Sequence, residues 1–163
     1  MSNEAFKSFA LLAGLAVLYK VADHQFSIGD FSFYFFLLLL LVGVFQGLRI
    51  NYNDQEPQEF LELFKQALQI PILLCVFIGL LGYIYLSSIN PDFLPNLIEG
   101  RITEGRELDY SEENLVKLRN NLSAVFNPAV YSTLSFFGLM IMTIVYTVVS
   151  TFLFRKIKAF RTI

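Results

Sequence analysis

The side chains that could do chemistry are few and far apart in this sequence. His24 and Cys75 are the single histidine and the single cysteine, and they lie in different regions, whereas a zinc site needs three or four such ligands. One cysteine also excludes an internal disulfide. His24 with Asp23 and Asp30 could form a weak metal or proton site, but a solvated polar turn is the better interpretation. Because no phosphate-binding or nucleophile motif accompanies them, we predict no catalytic residue, cofactor or metal.

A second group of residues combines small and hydroxyl side chains at helical spacing. Threonines recur along the last apolar stretch at Thr143, Thr147 and Thr151, and could either line a polar path or bond to neighbouring helices. The third apolar stretch has three small residues on one side, Cys75, Gly79 and Gly82. They would let a helix of the same or another chain approach closely. Packing is the commoner use of such residues in membranes. We therefore predict a helix-packing face made of Cys75, Gly79, Gly82, Thr143, Thr147 and Thr151.

The composition indicates a lipid environment for the elements that carry these residues. Of the 163 residues, 55% are hydrophobic and 16% charged, whereas soluble domains average about 45–50% and 25%. An ordinary soluble enzyme and a disordered tail are thereby excluded. The net charge of −2 gives no basic surface for nucleic acid.

Four apolar stretches are long enough to cross a bilayer, whose core of about 30 Å requires roughly 20 helical residues. We predict an all-α, integral membrane four-helix bundle forming one domain over 1–163, with a helical extramembrane segment at about 89–127. The predicted spans are about 5–22, 31–48, 66–88 and 129–154. The first span imitates a signal peptide, but Lys20 lies just before the plausible cleavage junction at Ala22. We therefore expect it to remain uncleaved.

Basic residues predict the orientation of the bundle. Four cations lie between Arg155 and Arg161, directly after the last span. Because basic residues accumulate on the cytoplasmic side, this cluster favours a cytoplasmic C-terminus. With four spans, the N-terminus then lies on the same side.

Proline residues mark both ends of the third helix. Pro57 suits the first helical position, and Pro71 should kink the helix near its entry into the membrane. Asn90-Pro91 should end the third span, and Asn127-Pro128 should precede the fourth.

The segment between these two motifs should form two amphipathic helices. The first has its apolar face at Phe93, Leu94, Leu97, Ile98 and Ile102. Gly105 or a nearby residue should end it, and Ser111 should cap the second helix, with Tyr110 and Leu115 as a hydrophobic staple. Residues 87–127 carry seven acids and four bases, a net charge of −3. Helices that lie on a membrane surface are usually basic. We therefore expect these two acidic helices to cap the bundle or to contact a partner.

The second half of the chain resembles a known family in its layout. An amphipathic entry from Glu59 leads into a span that ends in YIYLSSINPDFL, Tyr83–Leu94. An acidic helical segment, Asn127-Pro128 and a Ser/Thr-rich span ending in RKIK follow. This order resembles the four-span inner-membrane proteins of Bacteroidota catalogued as a domain of unknown function, DUF4199. The resemblance implies a topology, an inner-membrane setting and a bacterial origin, but no reaction.

These observations lead to a functional hypothesis of a non-enzymatic membrane protein. It would act through helix packing and protein partners, as an assembly factor, an accessory subunit or a self-associating scaffold. Its expected partners are the lipid bilayer and another membrane protein or a second copy, with no nucleic acid. The alternative is a small transporter or channel that uses the Ser/Thr face of the fourth span. A membrane-embedded enzyme acting on lipid is a third option, and would need a polar cluster in the membrane.

Overall fold

The computed structural model describes residues 1–26, 31–52 and 59–156, and the regular secondary structure in these ranges is all helical. No strand occurs in these ranges, and the four longest helices are long and apolar enough to cross a membrane. The predicted all-α membrane bundle, with a helical segment between spans three and four, is thereby confirmed. The helices are α1 (Asn3–Phe26), α2 (Ser32–Asn51), α3 (Phe60–Ile84), α4 (Phe93–Glu107), α5 (Glu112–Val125) and α6 (Pro128–Lys156).

The membrane helices are longer than the apolar stretches alone suggest. Helix α1 covers Asn3–Phe26 where the hydrophobicity predicts a span of about 5–22. Helix α3 begins at Phe60, so the amphipathic entry that precedes the third span is helical. Pro71 is buried inside α3, and helical residues continue on both sides of it. The kink expected at Pro71 stays a prediction, and Pro57 lies outside the described residues.

The chain divides into two compact units, of which the first comprises Met1–Ile78 and Phe137–Ile163. The described part of this unit is a bundle of α1, α2, the first part of α3 and most of α6. Tyr19 of α1 stacks on Phe35 of α2, with ring centroids 4.1 Å apart. Phe9 of α1 meets Phe77 of α3 edge-on at 6.2 Å. Helices α2, α3 and α6 share a core of Val44, Leu48, Leu63, Ala67 and Phe154.

The second unit is Gly79–Phe136 and contains both extramembrane helices. Helix α3 ends in a π-helical turn at Tyr85–Ile89, in which the N–H of Asn90 donates to the carbonyl of Tyr85 at 2.8 Å. The third span thus ends at Asn90, as predicted. Tyr85, Leu86 and Leu94 form a small core, against which Phe126 and Tyr131 pack.

Two polar side chains, those of Ser111 and Asn127, cap helix ends in this unit. Ser111 accepts a hydrogen bond from the N–H of Asn114 at 3.4 Å, which confirms the predicted cap of α5. Asn127 joins α5 to α6, since its side-chain Nδ2 donates to the backbone carbonyl of Ala124 and its side-chain Oδ1 accepts from the N–H of Val130. These local bonds satisfy backbone groups that helix ends leave free.

Helix α4 ends close to Gly105, as predicted, and Gly105 itself has a packing role. Helix α4 continues to Glu107, and Gly105 is a buried residue inside it. A Cβ atom at position 105 would lie 2.9 Å from Cδ2 of Leu115 and 3.4 Å from Cδ2 of Tyr110. Gly105 therefore lets α5 pack closely on α4. In the turn between α4 and α5, Asp109 has a φ of 58°, which lies in the left-handed region.

Candidate functional site

The predicted packing face contains a buried contact between α3 and α6. Cys75 and Thr143 are both fully buried, and the Sγ of Cys75 lies 3.2 Å from the Oγ1 of Thr143. The Thr143 hydroxyl also lies 2.8 Å from the carbonyl oxygen of Leu139, to which it donates. Because a hydroxyl has one proton, the Cys75 thiol is then the donor to Thr143. The two helices are thus joined by a chain of two hydrogen bonds inside the first unit.

The other two threonines of this face are fully buried as well. The Thr147 hydroxyl donates to the carbonyl of Thr143 at 2.8 Å. The Thr151 hydroxyl has no hydrogen-bond partner among the described residues. The Thr143 and Thr147 hydroxyls thus both donate to carbonyls of α6, and the Thr143 hydroxyl also accepts from Cys75 of α3.

In the second unit, Gly79 and Gly82 of α3 also face α6. A Cβ atom at position 79 would lie 3.4 Å from the Cβ of Phe136, and one at position 82 would lie 3.9 Å from the Oγ of Ser132. The helix that occupies the small-residue side of α3 at these two positions thus belongs to the same chain. Ser132 is buried, and its hydroxyl has no partner among the described residues.

Two glycines of α2 that the sequence reasoning missed also pack against neighbouring helices. Gly47 of α2 lies directly against Ala67 of α3, and a Cβ at position 47 would lie 2.6 Å from the carbonyl oxygen of Ala67. One turn earlier, a Cβ at Gly43 would lie 3.5 Å from side-chain atoms of both Leu12 and Ile70. The spacing Gly-x-x-x-Gly at 43 and 47 was the available signal, because it typically marks close helix packing in membranes.

Asp23 corrects the interpretation of the first connection as a solvated polar turn. Its side chain is only 8% exposed, and its Oδ2 lies 2.8 Å from the Lys20 ammonium and 3.3 Å from the Ser32 hydroxyl. Ser32 belongs to α2, so the carboxylate links the ends of α1 and α2. His24 is exposed, and Asp30 lies outside the described residues. Over the described ranges, no group of three His, Cys, Asp or Glu side chains is arranged to hold a metal ion.

The surface of the α4–α5 hairpin combines charge with exposed apolar groups. Three of its four bases form ion pairs, of which Arg119–Glu99 joins the two helices at 2.7 Å. Around the turn, three acids have no ion pair within the described residues, and three apolar side chains beside them are exposed. We call this surface the acidic tip; it consists of Glu107, Leu108, Asp109, Tyr110, Glu112 and Val116.

A comparison with known families gives a match over nearly the whole chain. A family model described as a protein of unknown function (DUF4199) matches residues 8–156. The chain belongs to the DUF4199 family. The DUF4199 match runs from inside α1 to the last residue of α6, and so includes the four membrane helices and the hairpin. No curated protein and no solved structure matches the chain.

Proposed function

We propose that this DUF4199 protein is a non-enzymatic accessory subunit or assembly factor that binds a protein partner through the acidic tip. In this proposal it is a multi-pass protein of a bacterial inner membrane, with both termini in the cytoplasm and the α4–α5 hairpin in the periplasm. The observation that carries the proposal is the exposed apolar surface of a segment outside the candidate spans.

The apolar residues of the acidic tip are exposed although they lie outside the candidate membrane spans. The exposed fractions are 67% for Leu108, 49% for Tyr110 and 57% for Val116, and all three lie outside the four candidate spans. Glu112 and Val116 are four residues apart on α5 and therefore share a face. An apolar surface with a charged rim is typical of a protein-binding site.

The charge of the tip favours a protein partner over the membrane surface. Residues 106–113 contain four carboxylates and one guanidinium, Arg106. Anionic lipid headgroups repel such a surface, whereas helices that lie on membranes usually present lysine and arginine. A basic, partly apolar protein segment would complement it.

The transport alternative has weaker support from the geometry. Its proposed path is the threonine face of α6, where Thr143 and Thr147 are fully buried and donate to carbonyls of their own helix. Reconstituted vesicles test it directly. Solute flux that disappears when Thr143 and Thr147 are replaced by leucine would favour transport over the accessory role.

Site-specific crosslinking in cells tests the partner proposal. A photoreactive amino acid at Val116 should yield an adduct with another protein, and the same group at Asn121, an exposed residue further along α5, should not. Replacing Leu108 and Tyr110 by serine should remove the Val116 adduct. Recovery of uncrosslinked monomer alone, under every growth condition tried, would contradict the proposal.

Reporter fusions test the proposed orientation. A fluorescent protein fused after Ile163 should fold and fluoresce in a bacterial host, because this fusion point is proposed to be cytoplasmic. Alkaline phosphatase, which is active only in the periplasm, should be active when inserted after Ser111 and inactive after Ile163. The reverse pattern would invert the topology.

A further inference from the structure

Tyr110 is the aromatic residue of the acidic tip, and its ring is held in place from one side. Its backbone N–H donates to the carbonyl of Gly105 at 3.1 Å. The Cδ2 atom of the ring lies 3.4 Å from the position that a Cβ of Gly105 would take, so one edge of the ring packs on the glycine. The rest of the ring is exposed. Because the ring already has a fixed neighbour, little conformational entropy is lost when a partner binds it.

The charge around this ring is negative. Asp109 precedes Tyr110 and Glu112 follows two residues later, and both carboxylates are exposed. Neither carboxylate forms an ion pair with a described residue, and the same holds for Arg106, the nearest base in the sequence. Four carboxylates and one guanidinium lie between residues 106 and 113, so this segment has a net charge of −3.

An exposed aromatic face beside carboxylates is suited to a cationic side chain. The face of an aromatic ring attracts cations, and arginine occurs in such pairs more often than lysine. The planar guanidinium can stack on a ring and donate paired hydrogen bonds to a carboxylate, whereas the lysine ammonium is a point charge. Tyrosine and arginine are also enriched among the residues that contribute most of the energy of protein interfaces.

We propose that Tyr110 is the anchor residue of the partner interface and that it binds an arginine side chain of the partner. The guanidinium stacks on the exposed face of the ring, and Asp109 and Glu112 neutralise its charge. Leu108 and Val116 contact apolar groups of the partner beside this arginine. The inference rests on the proposed function, and it adds the residue that selects the partner and the side chain that is selected.

The test starts from the protein that is crosslinked through Val116 in cells. Mass spectrometry locates the arginines of its crosslinked peptide, and its affinity is measured with the purified full-length DUF4199 protein in detergent. Tyr110→Leu keeps an apolar side chain but removes the ring, and should weaken binding about fivefold. Tyr110→Phe, which keeps the ring face, should bind more tightly than Tyr110→Leu. An arginine-to-glutamine change in the partner should weaken binding to the wild type about fivefold more than binding to Tyr110→Leu.

Phe93→Leu is the matched control, because it removes another exposed ring of the same unit, at the opposite end of α4 from the tip. It should leave the affinity unchanged, and circular dichroism shows whether each variant keeps its helices. Wild-type affinity in Tyr110→Leu, or a crosslinked peptide without arginine, would overturn the arginine anchor and leave the acidic tip as a partner site. The absence of any Val116 adduct in the wild type would overturn the proposed function and this inference together.

Discussion

Gly47 of α2 packs directly against the backbone of Ala67 of α3, so closely that a Cβ at position 47 would lie 3.0 Å from the Cα of Ala67. Real Cβ atoms rarely approach other heavy atoms so closely, and backbone atoms cannot rotate away as a flexible side chain can. The neighbouring residues Val44, Leu48 and Leu63 are fully buried in the same core. This contact therefore fixes the distance between two membrane helices.

Gly47→Ala should destabilise the bundle by about 1–3 kcal/mol, which is typical of overpacking a filled core. The matched control is Gly14→Ala in α1, because nothing lies within 4 Å of a Cβ at that position. Thermal unfolding in detergent, followed by circular dichroism, should show a lower midpoint for Gly47→Ala alone. Equal midpoints for the two variants would contradict the close contact.

Cys75 and Thr143 should show a measurable energetic coupling. Side-chain hydrogen bonds between membrane helices contribute about 0.6 kcal/mol on average. A double-mutant cycle of Cys75→Ala and Thr143→Val should therefore give a coupling energy of about that size. The cycle of Cys75→Ala with Thr151→Val is the control, since eight residues separate the two threonines and the effects should add. A coupling of zero in the first cycle would mean that the bond makes no net contribution.

Thr151→Val should leave the free energy of unfolding unchanged or raise it. The Thr151 hydroxyl is buried without a partner among the described residues, and burying an unpaired hydroxyl costs about 1–3 kcal/mol. Thr143→Val, which removes a bonded hydroxyl of the same face, should lower stability. A loss of stability in both variants would show that Thr151 has a partner in solution.

Gly100→Ala should stabilise the α4–α5 hairpin, whereas Gly105→Ala should stabilise it less or destabilise it. Alanine is a better helix former than glycine by about 1 kcal/mol, and nothing lies within 4 Å of a Cβ at Gly100. At Gly105 the new methyl group meets Leu115, so the gain should be cancelled or reversed. Hydrogen exchange of the α5 amides measures the difference. Faster exchange in Gly100→Ala than in Gly105→Ala would refute this packing.

Ser111→Ala should loosen the start of α5 by about 1 kcal/mol, because it removes the side-chain cap of the Asn114 N–H. Ser123→Ala, an exposed substitution inside the same helix, should have little effect. Amide exchange at Asn114 and Leu115 should accelerate only in the first variant. Unchanged protection in Ser111→Ala would show that the cap bond makes no contribution.

The sequence was sufficient for features that depend on local chemistry. The four spans follow from the bilayer's demand for long apolar helices, and Ser111 followed by two acids is a local cap signal. The positions of these elements could therefore be predicted from the sequence alone. The orientation across the membrane and the partner of the hairpin remain predictions.

Features that depend on a distant neighbour could not be read in the same way. Asp23 is buried, and its carboxylate accepts from the hydroxyl of Ser32 on another helix as well as pairing with Lys20 on its own helix. Gly105 precedes a turn in sequence, but its role is set by Leu115 on the next helix. The motif at Gly43 and Gly47 marks a close-packing face, yet it does not name Ala67 as the residue that meets it. In each case a contact that defines the role of the residue comes from a different helix.

The π-helical turn at Tyr85–Ile89 lets the third span contain one more residue without changing the phase of the residues that follow. A π turn corresponds to one residue inserted into an α-helix, and the wider turn takes up that residue. Deleting Ser87 should therefore convert this turn to an ordinary α-helical one and leave Asn90 and Pro91 facing nearly the same direction, whereas a deletion in a regular stretch of α3 should rotate them by about 100° around the helix axis. Length, rather than phase, is thus what this turn changes.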